Sequence, residues 1–252
     1  MLCSHRSYGA PNPAGCQQRY VLDDVVADIR SSGHNVTHTC FVECGAMFSK
    51  AGPVRLRSLG EVFFAQGAAS ASESGTYGTA QICAGITGTV DLSLPTDTLQ
   101  SALEYFMRVP NFRGIRSSPT DAGLAILEKL GVVFETGLGA DTAKLAQKFP
   151  SLKIVMNHCC FRLPTEDDGG KSLSQWKRNV AAVAEYPNVF AKVALQTALT
   201  VTVLHSAFRK LIDTPAVELT PCYECLVGCL AGWCRNAKFR IWMGGPSGTA
   251  IF

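Results

Sequence analysis

The stretch Leu152–Cys160, LKIVMNHCC, decides how this chain is read. It is a short apolar run that ends on an ionisable residue, His158. Residues 140–150 before it have the pattern of a helix. The segment after it carries Pro164, Glu166, Asp167, Asp168, Gly169 and Gly170 and reads as a polar loop. A strand that delivers an ionisable group at its C-terminal end, followed by a loop and a helix, is the unit from which α/β barrels build active sites.

Working outward, the same unit recurs. Tyr20–Ser31 is an amphipathic helix pattern with Leu22, Val25, Val26 and Ile29 on one face, closed by Gly33. Val36–Val42 is β-branched and delivers Glu43. Helix patterns over Leu56–Ser74, Thr98–Val109 (Thr96 or Asp97 as its N-cap, Pro110 as its stop), Asp121–Leu130, Asp141–Phe149 and Ser172–Tyr186 alternate with strand patterns within Ile82–Leu92 and over Phe112–Ser117, Val132–Thr136, Leu152–His158 and Val189–Leu195. Gly85 and Gly88 would let a neighbour approach the strand within Ile82–Leu92. Strands separated by helices imply parallel pairing, because parallel neighbours need a crossover. No G-x-G-x-x-G follows a strand, which weakens a dinucleotide-binding reading. Beyond Leu195 the rhythm fades: Leu199–Ile212 and Glu218–Trp233 are possible helices, Phe239–Met243 a possible last strand, and no helix pattern follows it.

Composition narrows the class. The chain has 252 residues, 47% hydrophobic, which is ample for a packed core and too apolar for whole-chain disorder. Its 23 basic and 20 acidic residues leave a formal charge of +3, which gives no argument for nucleic acid or membrane as partner. The N-terminal segment, residues 1–19, is irregular, and Pro11, Pro13 and Gly15 interrupt it where a signal peptide would be apolar. The longest apolar run, Leu226–Cys234, is about half of what a bilayer needs. Eleven cysteines, most of them within expected strands or helices, read as buried thiols in a reducing, cytoplasmic compartment rather than as a disulfide framework.

Taken in order, YVLDD (20–24), GHNVTHTCFVECGAMF (33–48), a GEV-containing helix, ICAGITGTVDL (82–92), FRGIR (112–116), IVMNH (154–158) and YPNVFAKV (186–193) resemble the amidohydrolase-related family 2, hydrolases close to the 2-pyrone-4,6-dicarboxylate lactonases. The resemblance spans Tyr20–Leu195. It implies a TIM-type (β/α)8 barrel, a single domain over residues 20–252, and hydrolysis of a small lactone, cyclic ester or amide that bears a carboxylate. The chain also departs from the family pattern, so the barrel is expected to be incomplete or distorted. His5 has no second histidine two residues away, so the first-strand H-x-H is missing, and Ile241–Gly248, IWMGGPSG, lacks the strand-8 Asp and a closing helix. A divalent metal such as zinc is implied by the family but has no assigned ligand set here; His158 would serve only if a metal is present. The alternative is a non-catalytic barrel relic or a binding protein.

His158 is the first site candidate, as a substrate-facing group or a satisfied core histidine. Glu43 is the second, as a base, an orienting group, or one half of an ion pair at the barrel rim. Arg113 and Arg116 lie three apart on one strand and so point to opposite faces. Arg116, nearer the C-terminal end, is the candidate to grip a substrate carboxylate through its planar fork, against a salt bridge to a neighbouring strand end. His34 and His38 lack the helical geometry of a metal pair; His34 is expected to cap the preceding helix and His38 to be packed or exposed. Cys222, Cys225, Cys229 and Cys234 have a spacing that fits zinc and iron–sulfur patterns poorly. Cys159 points away from the face of His158.

Overall fold

The computed structural model describes residues 21–137, 141–157, 171–193, 219–221, 241–242 and 250–251. The chain forms two compact units, Met1–Gly123 and Leu124–Phe252. In the first, α1 (Leu22–Ser31) leads to β1 (His38–Val42), a 3-10 turn at Val54–Leu56, α2 (Leu59–Glu73), β2 (Gln81–Gly88), α3 (Thr96–Met107) and β3 (Phe112–Arg116). Then α4 (Asp121–Leu130) carries the chain into the second unit, with β4 (Val133–Thr136), α5 (Asp141–Lys148), β5 (Ile154–Met156), α6 (Lys171–Ala184) and β6 (Val189–Val193). The expected alternation of strand and helix is therefore present in both.

Pairing is parallel wherever a helix intervenes. In the first unit β1 pairs with β2 and β2 with β3. In the second, β4 pairs with β5, β5 with β6, and β6 with β7 (Leu219–Pro221). Strand β7 corrects the sequence expectation of a helix over Glu218–Trp233: Leu219–Pro221 are extended, and the rest lies outside the described residues. The expected last strand is partly seen. Ile241–Trp242 (β8) is extended, but it pairs antiparallel with Ala250–Ile251 (β9), as a hairpin rather than a barrel strand. The N-terminal segment 1–19 and the helix expected at Leu199–Ile212 lie outside the described residues.

Local chemistry explains the element ends. Asp24 Oδ2 accepts the N–H of Val21 at 2.7 Å, so an orphan donor at the start of α1 is satisfied from within its first turn. The helix is closed by Ser32, whose Oγ bonds Ile29 O, and by Gly33 at φ 70°. His34, expected to be the cap, joins only through its backbone N–H on Ser32 Oγ. Helix α3 starts two residues earlier than its sequence pattern suggests: Pro95 is the N-cap, and Thr96 and Asp97 fall inside the first turn, where a carboxylate faces the positive end of the helix.

The core of the first unit is Val62 and Ala65 from α2, Ile86 from β2, Leu99, Leu103 and Phe106 from α3, and Ile115 from β3. Phe106 and Phe112 pack with ring centroids 5.5 Å apart. Gly88 is obligatory in this packing, since a Cβ there would lie 2.8 Å from Val62 Cγ2 and 3.1 Å from Phe106 Cε1. The close approach anticipated at Gly88 is thus a contact between β2 and two helices. The second unit has its own core, with Leu124, Leu127, Phe134, Leu152 and Ile154 fully buried. Each such side chain contributes about 1.5–3 kcal/mol through removal from water. No helix among the described residues is long and apolar enough to cross a membrane.

Candidate active site

Three parallel strands of the first unit end together. Glu43 follows the last residue of β1, Thr87 lies next to the last residue of β2, and Arg116 is the last residue of β3. Register places Thr87 beside Val42 on one side and Gly114 on the other. The N–H of Glu43 donates to Thr87 O at 2.8 Å, so the backbone that carries the carboxylate is held by the middle strand.

Glu43 and Arg116 meet across that strand. Arg116 Nε donates to Glu43 Oε1 at 2.7 Å, and Arg116 Nη2 donates to the backbone oxygen of the same glutamate. The guanidinium is therefore fixed at two points by one residue. The side chains remain 33% and 19% exposed, so the pair contributes little to stability, on the order of 0–1 kcal/mol. Its value is geometric. Two of the five N–H groups of Arg116 are used by Glu43, and the others have no partner among the described residues. Charged donors held in a rigid plane at the C-terminal end of a strand are suited to a carboxylate.

Arg113 is not brought to this pair. Its Nη1 donates to Pro110 O and Phe112 O, both at 2.7 Å, at the opposite end of β3. Burial pulls its pKa below the ordinary value, and its Nε is buried without a partner among the described residues. His38 opens β1, where burial holds its imidazole toward the neutral form against the opposing hydrogen bond to Gln81. His158 and Cys159 lie outside the described residues, as do His5 and the cysteines at 222, 225, 229 and 234. Asn157, directly before His158, is buried at the end of the β5 segment.

One residue of the site was missed by sequence reasoning. Glu61, in the first turn of α2, is fully buried. Its Oε1 accepts the N–H of Cys44 and of Ala46, each at 2.9 Å, and lies 3.4 Å from Cys44 Sγ. Its Oε2 is buried without a partner among the described residues. Burial pushes its pKa above the ordinary carboxylate value, against the pull of these donors; the nearby Glu43 charge adds to the rise. The sequence holds a faint sign of this arrangement in the neighbouring Gly60. A Cβ there would come within 2.6 Å of Met47 O and 2.7 Å of Ser49 Oγ, so glycine lets the β1–α2 loop lie on the helix.

Among the described residues no three of His, Cys, Asp and Glu come together in a way that could hold a metal ion. Glu43, Cys44 and Glu61 adjoin one another: Glu43 Oε1 is turned to Arg116, Glu61 Oε1 to the loop backbone and to Cys44 Sγ. The described residues do not make up a zinc set.

Comparison with known proteins bears on the family and the fold. A family model for amidohydrolases matches residues 92–227, more than half of the chain. An amidohydrolase from Burkholderia multivorans aligns with 83% of this chain and 76% of its own, at 16% identity and a TM-score of 0.59, in a crystal form with bound HEPES. A second form of that protein, with bound zinc, gives a TM-score of 0.58 at the same identity and coverage. A Pseudomonas putida protein whose suggested activity is 2-pyrone-4,6-dicarboxylic acid hydrolysis aligns over 82% of this chain and 76% of its own, at 18% identity and a TM-score of 0.51. Likeness at these identities concerns the fold, and it agrees with the parallel β/α order seen here. No curated protein matches the chain. The extent of the family match decides the assignment: the chain belongs to the amidohydrolase family and is a hydrolase by that membership.

Proposed function

We propose that this hydrolase acts on a small lactone, cyclic ester or cyclic amide bearing a carboxylate. The observation that carries the reading is the pair Arg116–Glu43 at adjoining strand ends. Glu43 holds the guanidinium at two points and leaves its other donors for a ligand carboxylate. In this reading Arg116 binds the substrate carboxylate, Glu43 orients Arg116, and His158, two residues after Met156 in the sequence, polarises the carbonyl under attack. Water adds to that carbonyl carbon, the ring C–O or C–N bond opens, and the proton from water ends on the leaving heteroatom. The suggested activity of the Pseudomonas putida neighbour, on a dicarboxylated pyrone, supports the substrate class. The zinc in the Burkholderia multivorans neighbour supports a divalent cation for the family, but no step of this reading runs through one.

A matched pair of substrates tests it. Purified protein is assayed with 2-pyrone-4,6-dicarboxylate and with an unsubstituted 2-pyrone, and ring opening is followed by absorbance. Hydrolysis of the carboxylated ring, faster by about a hundredfold as a bidentate charge-assisted contact would allow, is the expected result. Equal rates on both rings contradict the role of Arg116. Carboxylate binding without turnover of either ring favours the alternative, a binding protein built on the barrel.

A further inference from the structure

We propose that Glu61 is the positioning residue of this site: its buried carboxylate fastens the β1–α2 loop at Cys44 and Ala46 and so fixes Glu43, the residue just before Cys44, against Arg116. Further along, the loop is tied by the N–H of Ser49 on Arg57 O and by Ser58 Oγ on Thr89 O; its first turn, next to Glu43, is where Glu61 acts. The loop leaves β1 at Glu43 and passes through left-handed conformations at Gly45, φ 73°, and at Met47, φ 56°, where a non-glycine residue is strained. Backbone N–H groups in such a turn need external acceptors. Thr87 O takes the N–H of Glu43, and Glu61 Oε1 takes the next one, from Cys44, together with that of Ala46. The residue that carries the site carboxylate is thus held from β2 on one side and from α2 on the other.

Two further features fit a dedicated clamp. A carboxylate in the interior is costly unless donors converge on it, and here the backbone donors come from one loop only. Gly60 gives up its side chain so that the loop can reach Glu61. Glu61 bonds to the loop and not to Arg116; it bears on the ion pair through the loop and through the neighbouring charge of Glu43, and the neutral variant Glu61→Gln separates the two. The relevance to catalysis rests on the proposed role of Arg116–Glu43; the clamp itself does not.

The test needs no substrate. Glu61→Gln keeps an acceptor oxygen in place, whereas Glu61→Met keeps the volume and removes it. Hydrogen exchange of the Cys44 and Ala46 amides reads the clamp. The Nε–H signal of Arg116 in nitrogen-15 spectra, assigned by its loss in Arg116→Lys, reads the ion pair. Glu61→Gln should keep near-wild-type exchange and the Arg116 signal. In Glu61→Met the amides should exchange on the order of tenfold faster or more, as expected for loss of a bond to a charged acceptor, and the Arg116 signal should disappear while β2 stays protected. Unchanged exchange in Glu61→Met overturns the proposal. So does a loosened loop with an unmoved Arg116 signal, and so does loss of protection across β2, which would make Glu61 a pillar of the whole unit. Absence of pyrone hydrolysis in the wild type bears on the proposed function and leaves this readout intact.

Discussion

Asn111 and Asn188 occupy matching places in the two units. Each follows a proline and precedes a strand, β3 or β6, and each offers its backbone oxygen to an isoleucine N–H on the preceding strand, Ile86 at 2.8 Å and Ile154 at 2.9 Å. Their side chains differ. Asn188 Nδ2 reaches Ala146 O, Phe149 O and Leu152 O at 3.3, 3.0 and 3.0 Å, at the end of α5 and in the turn before β5, where Phe149 O also accepts the N–H of Leu152. Asn111 Nδ2 reaches only Cys83 O, at 3.0 Å, while its own N–H is taken by Gln66 Oε1. Cys83 lies where the β1–β2 register slips and has φ 52°, a bulged residue in a left-handed conformation. Thr39 Oγ1 accepts its N–H, and burial pushes its thiol up to about 12, which makes it an inert apolar group. One sequence sign, Pro-Asn before a strand, therefore marks one backbone role in both units. The side-chain amide then serves whatever carbonyls the adjoining chain presents: a helix end in one unit, a bulge in the other.

That difference sets a ranking. Asn188→Ala should cost the most, about 2–3 kcal/mol, because several part-buried carbonyls lose one donor group; urea unfolding measures it. Asn188→Asp should be no better, since an ionised carboxylate cannot donate to a carbonyl. Asn111→Ala should cost about 1 kcal/mol, with faster exchange confined to residues near Cys83. Equal losses at the two positions would break the comparison.

The smallest effect is one of sign. Burial raises the folded-state pKa of Glu61 above its ordinary 4.5, so the unfolded chain gives up that proton first. The stability this group contributes is fully present below about 4.5 and is lost as pH rises through the raised value. Wild type should therefore gain stability relative to Glu61→Gln as the pH falls through that window, measured by urea midpoints at a series of pH values. A pH-independent difference would show that burial does not govern this carboxyl.

Much of the scaffold could be read from the sequence because its punctuation is local. Gly33, Gly131, Pro110 and Pro150 stop helices by their own backbone chemistry, and the alternation of strand and helix patterns survives without knowledge of neighbours. Helix starts were less legible: Pro95 displaced the cap expected at Thr96 or Asp97. At the site, Glu43 and Arg116 stood out as ionisable residues at strand ends. An ion pair at the rim was an alternative for each, but that they pair with one another was not legible, because it joins positions 73 apart in the chain and depends on which strands are neighbours. Glu61 was hidden for another reason. A glutamate in the first turn of a helix normally faces water and the helix dipole, and only the loop folding back over Gly60 turns it inward. The choice of Arg116 over Arg113 in FRGIR followed from strand alternation and nearness to the C-terminal end; Arg113 lies toward the other end of the strand, bonded to Pro110 O and Phe112 O.

The most direct test of the account is the rate of 2-pyrone-4,6-dicarboxylate hydrolysis by wild type, Arg116→Met and Arg116→Lys. The account predicts that Arg116→Met lowers kcat/KM by about a hundredfold or more, and that Arg116→Lys recovers only part of the loss because a single ammonium cannot reproduce the planar fork. An Arg116→Met enzyme as active as wild type would contradict it.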